Sequence, residues 1–163
     1  MEKSARKFTI MISTDIVIKE SSLMMLFFLF AWGVCFVIFI YKVLGGPKAG
    51  RDSFLYFNFI FFKRDTLANI SLCFFVLSYL SEAFAEYRRG VDNLMLLGNL
   101  MGGASFLLFG IYGKCFYCDV IEDKKPFFFI NVFLTEVDFK PGSVFLWLAR
   151  ISYITWLFLL ILR

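Results

Sequence analysis

The sequence predicts an all-α integral membrane protein with four transmembrane helices and short aromatic-rich interfacial segments. The chain of 163 residues is 60% hydrophobic and contains 24 phenylalanines, which is more apolar surface than a soluble domain of this size can bury. Four apolar runs are each about 20 residues long, or about 30 Å as helix, which matches the hydrocarbon core of a bilayer. Of the 17 Lys and Arg residues, only Arg150 lies inside these runs.

We place the four spans at residues 22–41, 67–86, 93–112 and 143–162, in one transmembrane domain that comprises residues 1–163. An even number of spans puts both termini on one side of the membrane and both long loops on the other. Basic residues are nearly balanced between the two sides, so the positive-inside rule gives only a slight preference for loops that face the cytoplasm or matrix.

Three further segments are too short or too polar to cross. Two phenylalanine-rich runs, residues 54–62 and 127–134, are apolar but span less than half of a membrane. We expect both runs in the interface, where they offer a surface suited to docking. Residues 8–20 are more polar and are expected to form an interfacial helix or an extended arm.

The second span carries a polar stripe. Ser71, Ser78, Glu82 and Glu86 are spaced so that they share one face of a helix, and this face is expected to meet protein or water. Glu82 is the most informative of the four, because a carboxylate within the hydrocarbon must be protonated, paired or hydrated. Two interpretations are open: a structural contact to a neighbouring helix or subunit, or a site that titrates during ion or proton movement.

Arg150 lies seven residues inside the last span, where a cation costs roughly 2.5 to 3.5 kcal/mol at the membrane centre. Something must offset that cost. The alternatives are an ion pair with Glu82, a carboxylate on another subunit, or a side chain that leans back toward the loops to reach the interface.

The third span carries small residues at helical spacing. Gly98, Gly102 and Ser105 would let another helix approach closely, and Gly103 and Gly110 do the same on an adjacent face. Asn99 lies within this stretch and can hydrogen-bond across such a contact. The spacing leaves open whether the partner helix belongs to the same chain or to another.

The residue inventory excludes several classes of site. The chain has no histidine, which excludes a haem held by two histidines, and its four cysteines are not arranged as a zinc site. Cys115 and Cys118 follow the end of a helix, whose dipole opposes thiolate formation, so we expect a disulfide or two passive thiols. This inventory predicts no cofactor and no metal. We also expect no nucleic-acid partner, because the net charge of +4 comes from basic groups beside the spans.

These features favour a non-catalytic accessory subunit of a larger inner-membrane complex, of the respiratory-chain or secretion type. Its expected partners are the lipid bilayer and other membrane protein subunits, in a mitochondrial or bacterial inner membrane. One alternative is a small oligomeric transporter or channel that uses the intramembrane carboxylate. Another is a membrane thiol-disulfide oxidoreductase that uses Cys115 and Cys118.

Overall fold

The computed structural model describes residues 23–45, 53–90, 93–116 and 142–162. Within these ranges the chain forms five helices: α1 (Leu23–Lys42), α2 (Ser53–Phe62), α3 (Thr66–Arg89), α4 (Asn93–Phe116) and α5 (Ser143–Ile161). All but α2 are long and apolar enough to span a membrane, which confirms the all-α, four-span fold. The segments predicted at residues 8–20 and 127–134 lie outside the described residues.

The helix boundaries follow from local chemistry. Asp65 caps the N-terminus of α3, where its Oδ1 accepts a hydrogen bond of 2.7 Å from the Leu67 N–H. Gly90 ends the same helix with a positive φ of 63°, a backbone conformation that suits glycine. The helices α3 and α4 extend about one turn past the C-terminal ends of the predicted spans.

The helices α3, α4 and α5 pack as consecutive antiparallel neighbours. Gly102 of α4 lies against Tyr79 of α3 and Trp156 of α5, which places these three residues at one level of the bundle. Phe106 of α4 contacts the rings of Phe75 and Trp156 at 4.9 and 5.6 Å between centroids. The core is therefore largely aromatic.

Among the described helices, the short helix α2 is the most buried, although it is not a span. Tyr56 is only 1% exposed, and the side chains of residues 59–62 are also buried. The Phe57 and Phe75 rings contact each other at 6.0 Å, and Phe75 lies nine residues, or about 13 Å, from the start of α3. The helix α2 is thus inserted between α1, α3 and α4, and burial raises the pKa of the Tyr56 hydroxyl to about 12.

This placement corrects one expectation. The aromatic run at residues 54–62 was expected to offer a docking surface in the interface, yet its described side chains from Tyr56 onward point largely into the bundle. The physical reason is that close-packed ring contacts with α1, α3 and α4 bury more apolar area than an interfacial position would.

The two long loops follow α1 and α4. Both of these helices end at the same end of the bundle, which we call the loop end. The Phe39 and Phe59 rings meet near the end of α1, at 4.9 Å between centroids. The Lys114 ammonium of α4 bonds to the carbonyl of Lys63, and Phe116 stacks on Phe145 at 5.7 Å. The loop end therefore comprises the C-terminal ends of α1 and α4, the helix α2, and the N-terminal ends of α3 and α5.

The outer faces of α1 and α5 are apolar and exposed. On α1 the exposed side chains include Leu23, Phe27 and Phe30, and on α5 they include Ile151 and Phe158. Such faces are compatible with contact to lipid.

Candidate intramembrane polar site

Glu82 lies in a groove between α1, α3 and α4, at the opposite end of the bundle from the loop end. The groove has a volume of about 190 Å³ and is half-open; its lining residues are Met25, Leu29, Phe75, Ser78, Tyr79, Glu82 and Asn99. Glu82 is half-buried and precedes the last residue of α3 by seven positions, or about 10 Å along the helix. Its carboxylate therefore lies within the span.

Glu86, one turn further along α3, is the carboxylate that α4 contacts directly. It is 3% exposed, and its Oε2 accepts a hydrogen bond of 2.9 Å from Nδ2 of Asn99. The bond joins α3 to α4 near the short connection between them. Asn99 thus does bond across a helix contact, and the contact lies within the chain.

The serine stripe turns inward and is satisfied by its own helix. Ser78 donates to the carbonyl of Phe75 at 2.7 Å, and Ser71 donates to that of Leu67 at 2.6 Å. Ser105 of α4 likewise donates to the carbonyl of Gly102 at 2.8 Å. All three serines are buried and donate their hydroxyl protons to carbonyls of their own helices, so these protons are not directed at a ligand.

Glu82 differs from these residues in having no such partner. Within the part of the chain that the structure describes, no hydrogen bond or ion pair reaches its carboxylate. Asn99 lines the same groove, but its amide nitrogen already donates to Glu86. The groove therefore presents oxygen acceptors and suits a proton, a cation or a donor-rich side chain.

Arg150 is 8% exposed and lies on the buried face of α5, with its guanidinium over the Trp147 ring at 5.2 Å from the centroid. Trp147 is nearer the loop end, and Tyr112 of α4 interacts electrostatically with the same guanidinium. The side chain thus leans toward the N-terminus of its own helix, in the direction that the sequence suggested.

The register of the bundle separates Arg150 from Glu82. Tyr79 and Trp156 flank Gly102 at one level, and α3 and α5 run in the same direction. Glu82 lies three residues beyond Tyr79, while Arg150 lies six residues before Trp156, so the two charges are about 13 Å apart along the bundle axis. The ion pair between them, one of the sequence-based alternatives, is therefore wrong.

The glycines of α4 face three different helices of the same chain. Gly98 and Gly102 lie against α5, at Leu159 and Trp156. On the adjacent face, Gly103 and Gly110 lie against Leu80 and Leu72 of α3, and Gly113 lies against Phe61 and Phe62 of α2. The small residues thus serve packing within the chain, which the spacing alone left undecided.

No family model, curated protein or solved structure matches this chain. Its function is therefore inferred from the chemistry of the polar site. Among the described residues, no three His, Cys, Asp or Glu side chains form a group that could hold a metal ion.

The two-cysteine motif is only half described. Cys115 is exposed in the last turn of α4, and Cys118 lies outside the described residues. The disulfide and the thiol chemistry both remain predictions.

Sequence reasoning missed one pair of polar contacts, at the loop end. Arg64 Nε donates to the carbonyl of Lys114 at 2.7 Å, and Lys114 Nζ donates to the carbonyl of Lys63 at 2.6 Å. A signal existed, because Arg64 and Lys114 each lie at the boundary of a span, where helix ends carry carbonyls without helical partners.

Proposed function

We propose that this chain is a non-catalytic accessory subunit of a larger membrane assembly, of the respiratory-chain or secretion type, in a mitochondrial or bacterial inner membrane. The observation that carries the proposal is Glu82, a half-buried carboxylate in a groove within the span, which nothing in the described part of the chain neutralises. A donor from another subunit would complete this site.

The proposal follows from the cost of charge in hydrocarbon. An intramembrane carboxylate has to be protonated, paired or hydrated, and such residues usually face protein. In the described helices, the amide that bonds to one of the two glutamates is that of Asn99, and it bonds to Glu86. A basic or amide side chain on a neighbouring subunit would supply what Glu82 lacks.

The surface beside the groove supports a protein neighbour. Met25 and Leu29 of α1 line the groove, and the same half of α1 leaves Leu26, Phe27 and Phe30 exposed. A partner helix laid along α1 would cover these side chains and reach Glu82 from one direction. This interface would be apolar around a single polar contact, which is common for helix association in membranes.

Isolation in mild detergent from its native membrane tests the proposal. We expect an affinity-tagged chain to co-elute with a reproducible, stoichiometric set of unrelated membrane proteins. A chain that elutes alone or only with copies of itself would contradict the subunit function. A tagged single-span protein, expressed at the same level, controls for non-specific co-elution.

A small oligomeric transporter or channel is the second candidate, and the open groove with Glu82 and Asn99 favours it. In that case the carboxylate would exchange a proton or cation with water, and the groove would be one wall of a path between copies. Purified protein in liposomes should then dissipate an imposed pH or ion gradient, which an accessory subunit should not do.

A further inference from the structure

Two cations at the loop end are held by a reciprocal pair of hydrogen bonds. Arg64, in the short connection from α2 to α3, donates through Nε to the backbone carbonyl of Lys114 at 2.7 Å. Lys114, near the end of α4, donates through its ammonium to the backbone carbonyl of Lys63 at 2.6 Å. Both bonds join the same two short backbone segments, so the two positive groups lie beside each other.

The position of the two carbonyls explains these bonds, and both cations keep N–H donors that could bind a ligand. The carbonyls of Lys63 and Lys114 lie at the C-terminal ends of α2 and α4, where helix ends lack internal donors and attract cations. A guanidinium carries five N–H donors and an ammonium three, so one bond from each leaves most of their donors available. Because their bonds to backbone carbonyls already order the two side chains, ligand binding would cost less side-chain entropy.

One carboxylate, that of Asp65, lies near these two cations. Asp65 follows Arg64 in the chain, and its Oδ1 accepts the Leu67 N–H as the N-cap of α3. Among the described residues, no carboxylate forms an ion pair with Arg64 or Lys114. The Asp65 carboxylate also acts on Lys114, so two cations against one carboxylate leave the site with a net positive charge for an external anion.

An apolar stripe begins beside these cations. Cys73 lies near Lys114, on the exposed face of α3. Ile70 and Leu77, 44% and 38% exposed, lie three residues before and four after Cys73, so all three share one face. A ligand with an anionic head and an apolar tail would match both parts of this surface.

We propose that Arg64 and Lys114 bind the phosphate of an anionic phospholipid, whose acyl chain covers the stripe at Ile70, Cys73 and Leu77. The site lies where α3 begins and α4 ends, at the depth of the headgroups if these helices span the membrane. Guanidinium and ammonium groups both suit phosphate oxygens, and basic residues at this depth attract anionic lipid. The proposal is independent of the accessory-subunit function.

Native mass spectrometry of the detergent-purified chain tests this site. Dioleoyl phosphatidylglycerol and dioleoyl phosphatidylcholine serve as matched probes, since they share acyl chains and differ in net charge. We expect the wild-type chain to retain phosphatidylglycerol preferentially. Arg64→Gln and Lys114→Gln should each weaken this retention about fivefold, and the double variant more, because each cation near the surface contributes about 1 kcal/mol.

The controls separate binding from folding. Glutamine can still donate to the same carbonyl, and Arg64→Lys keeps a positive charge, so Arg64→Lys should retain phosphatidylglycerol within about twofold of wild type. Arg88→Gln removes a cation from the opposite end, where its guanidinium lies over Phe84, and should leave retention unchanged. Thermal unfolding in phosphatidylcholine alone reports whether each variant is folded.

Three results would overturn the proposal. Equal retention of the two lipids by wild type would do so without any variant, as would undiminished retention by the folded double variant. The third test adds inorganic phosphate at constant ionic strength in place of the lipid. If the chain retains phosphate and loses it in the Arg64 and Lys114 variants, the site binds a free anion and not a lipid.

Discussion

At the scale of single residues, the contact that the structure resolves best is the bond from Asn99 to Glu86. The sequence identified Asn99 as a residue that could bond across helices but did not identify its partner. Glu86 is the last residue of the predicted second span, and nothing in its spacing distinguished it from Glu82 as the residue that α4 reaches. That distinction depends on the rotation of α4 relative to α3, which a single sequence does not specify.

The replacement Asn99→Leu tests the energetic role of this bond. Removing the amide takes a donor away from a carboxylate that is 3% exposed, so we expect a loss of about 1 to 3 kcal/mol in the free energy of unfolding. Reversible unfolding in mixed micelles, followed by tryptophan fluorescence, measures it. Asn69→Leu is the matched control, because Asn69 is exposed on α3 and should change stability by less than about 0.5 kcal/mol. Equal effects of the two changes would show that the bond contributes nothing.

Glu82 is the residue at which the two candidate functions make opposite predictions. If Glu82 is a structural contact to an amide donor of another subunit, Glu82→Gln keeps the shape and a hydrogen-bonding amide and should assemble normally. Glu82→Leu leaves the partner unsatisfied and should cost about 1 to 3 kcal/mol of association. Complex yield after detergent purification and proton or ion flux are to be measured for both variants.

The two functions are distinguished by which of the two variants loses flux and which loses assembly. A transporter needs the carboxylate to exchange protons, so Glu82→Gln would abolish flux and leave assembly intact. A glutamine variant that assembles fully and is inactive would therefore exclude the structural role. Loss of assembly in the leucine variant alone would support it.

At the scale of helices, the small residues of α4 were predictable and their partners were not. Glycine spacing indicates where a backbone can be approached closely, but both faces of α4 carry glycines, and the sequence does not assign each face to a neighbour. The structure assigns Gly98 and Gly102 to α5, and Gly103 and Gly110 to α3. The approach at Gly113, which lies outside the predicted stripe, is as close as that at Gly110.

Alanine substitutions at the two ends of this series should differ in effect. A Cβ at Gly113 would overlap the Phe62 ring and the backbone carbonyl of Phe61, so Gly113→Ala should destabilise the fold by about 1 to 3 kcal/mol. Gly98→Ala is the control in the same helix: its Cβ would lie 3.8 Å from Leu159 Cβ, an ordinary contact. Both changes gain the same helix propensity, so unfolding in micelles compares packing alone. Equal stabilities would contradict the observed position of α2.

The helix α2 shows why one element escaped prediction. A run of about nine apolar residues is too short to span, which makes an interfacial position the natural expectation. Yet a helix that is hydrophobic on all sides is usually buried, and the sequence of α2 has hardly any polar face. The composition of residues 54–62 thus indicated a buried helix. The sequence does not show the space between α1, α3 and α4 that receives it, because that space forms only when the bundle is assembled.

At the scale of the whole molecule, the number of spans could be predicted from the sequence better than their relative depths. The charge pattern predicts four helices, and the structure contains them, because the cost of charge in hydrocarbon constrains each span separately. The relative depth of Glu82 and Arg150 depended on where each span was centred, and estimates from the sequence left an ion pair open. The level set by Tyr79, Gly102 and Trp156 removes that freedom and places the two charges about 13 Å apart.

The arrangement of the bundle predicts how exposed positions divide between the two sides of the membrane. Lys42 ends α1 and Cys115 lies in the last turn of α4, so both belong to the loop end, whereas Arg88 lies in the last turn of α3 at the other end. Single-cysteine variants at positions 42 and 88, and a variant that keeps only the native Cys115, can be labelled in sealed vesicles with a membrane-impermeant maleimide. Positions 42 and 115 should react from the same side, because two spans, α3 and α4, lie between them. Position 88 should react from the opposite side, because a single span separates it from each of the other two positions. Labelling of positions 42 and 88 from one side would mean that α3 does not cross, and the four-span topology would have to be abandoned together with the intramembrane position of Glu82.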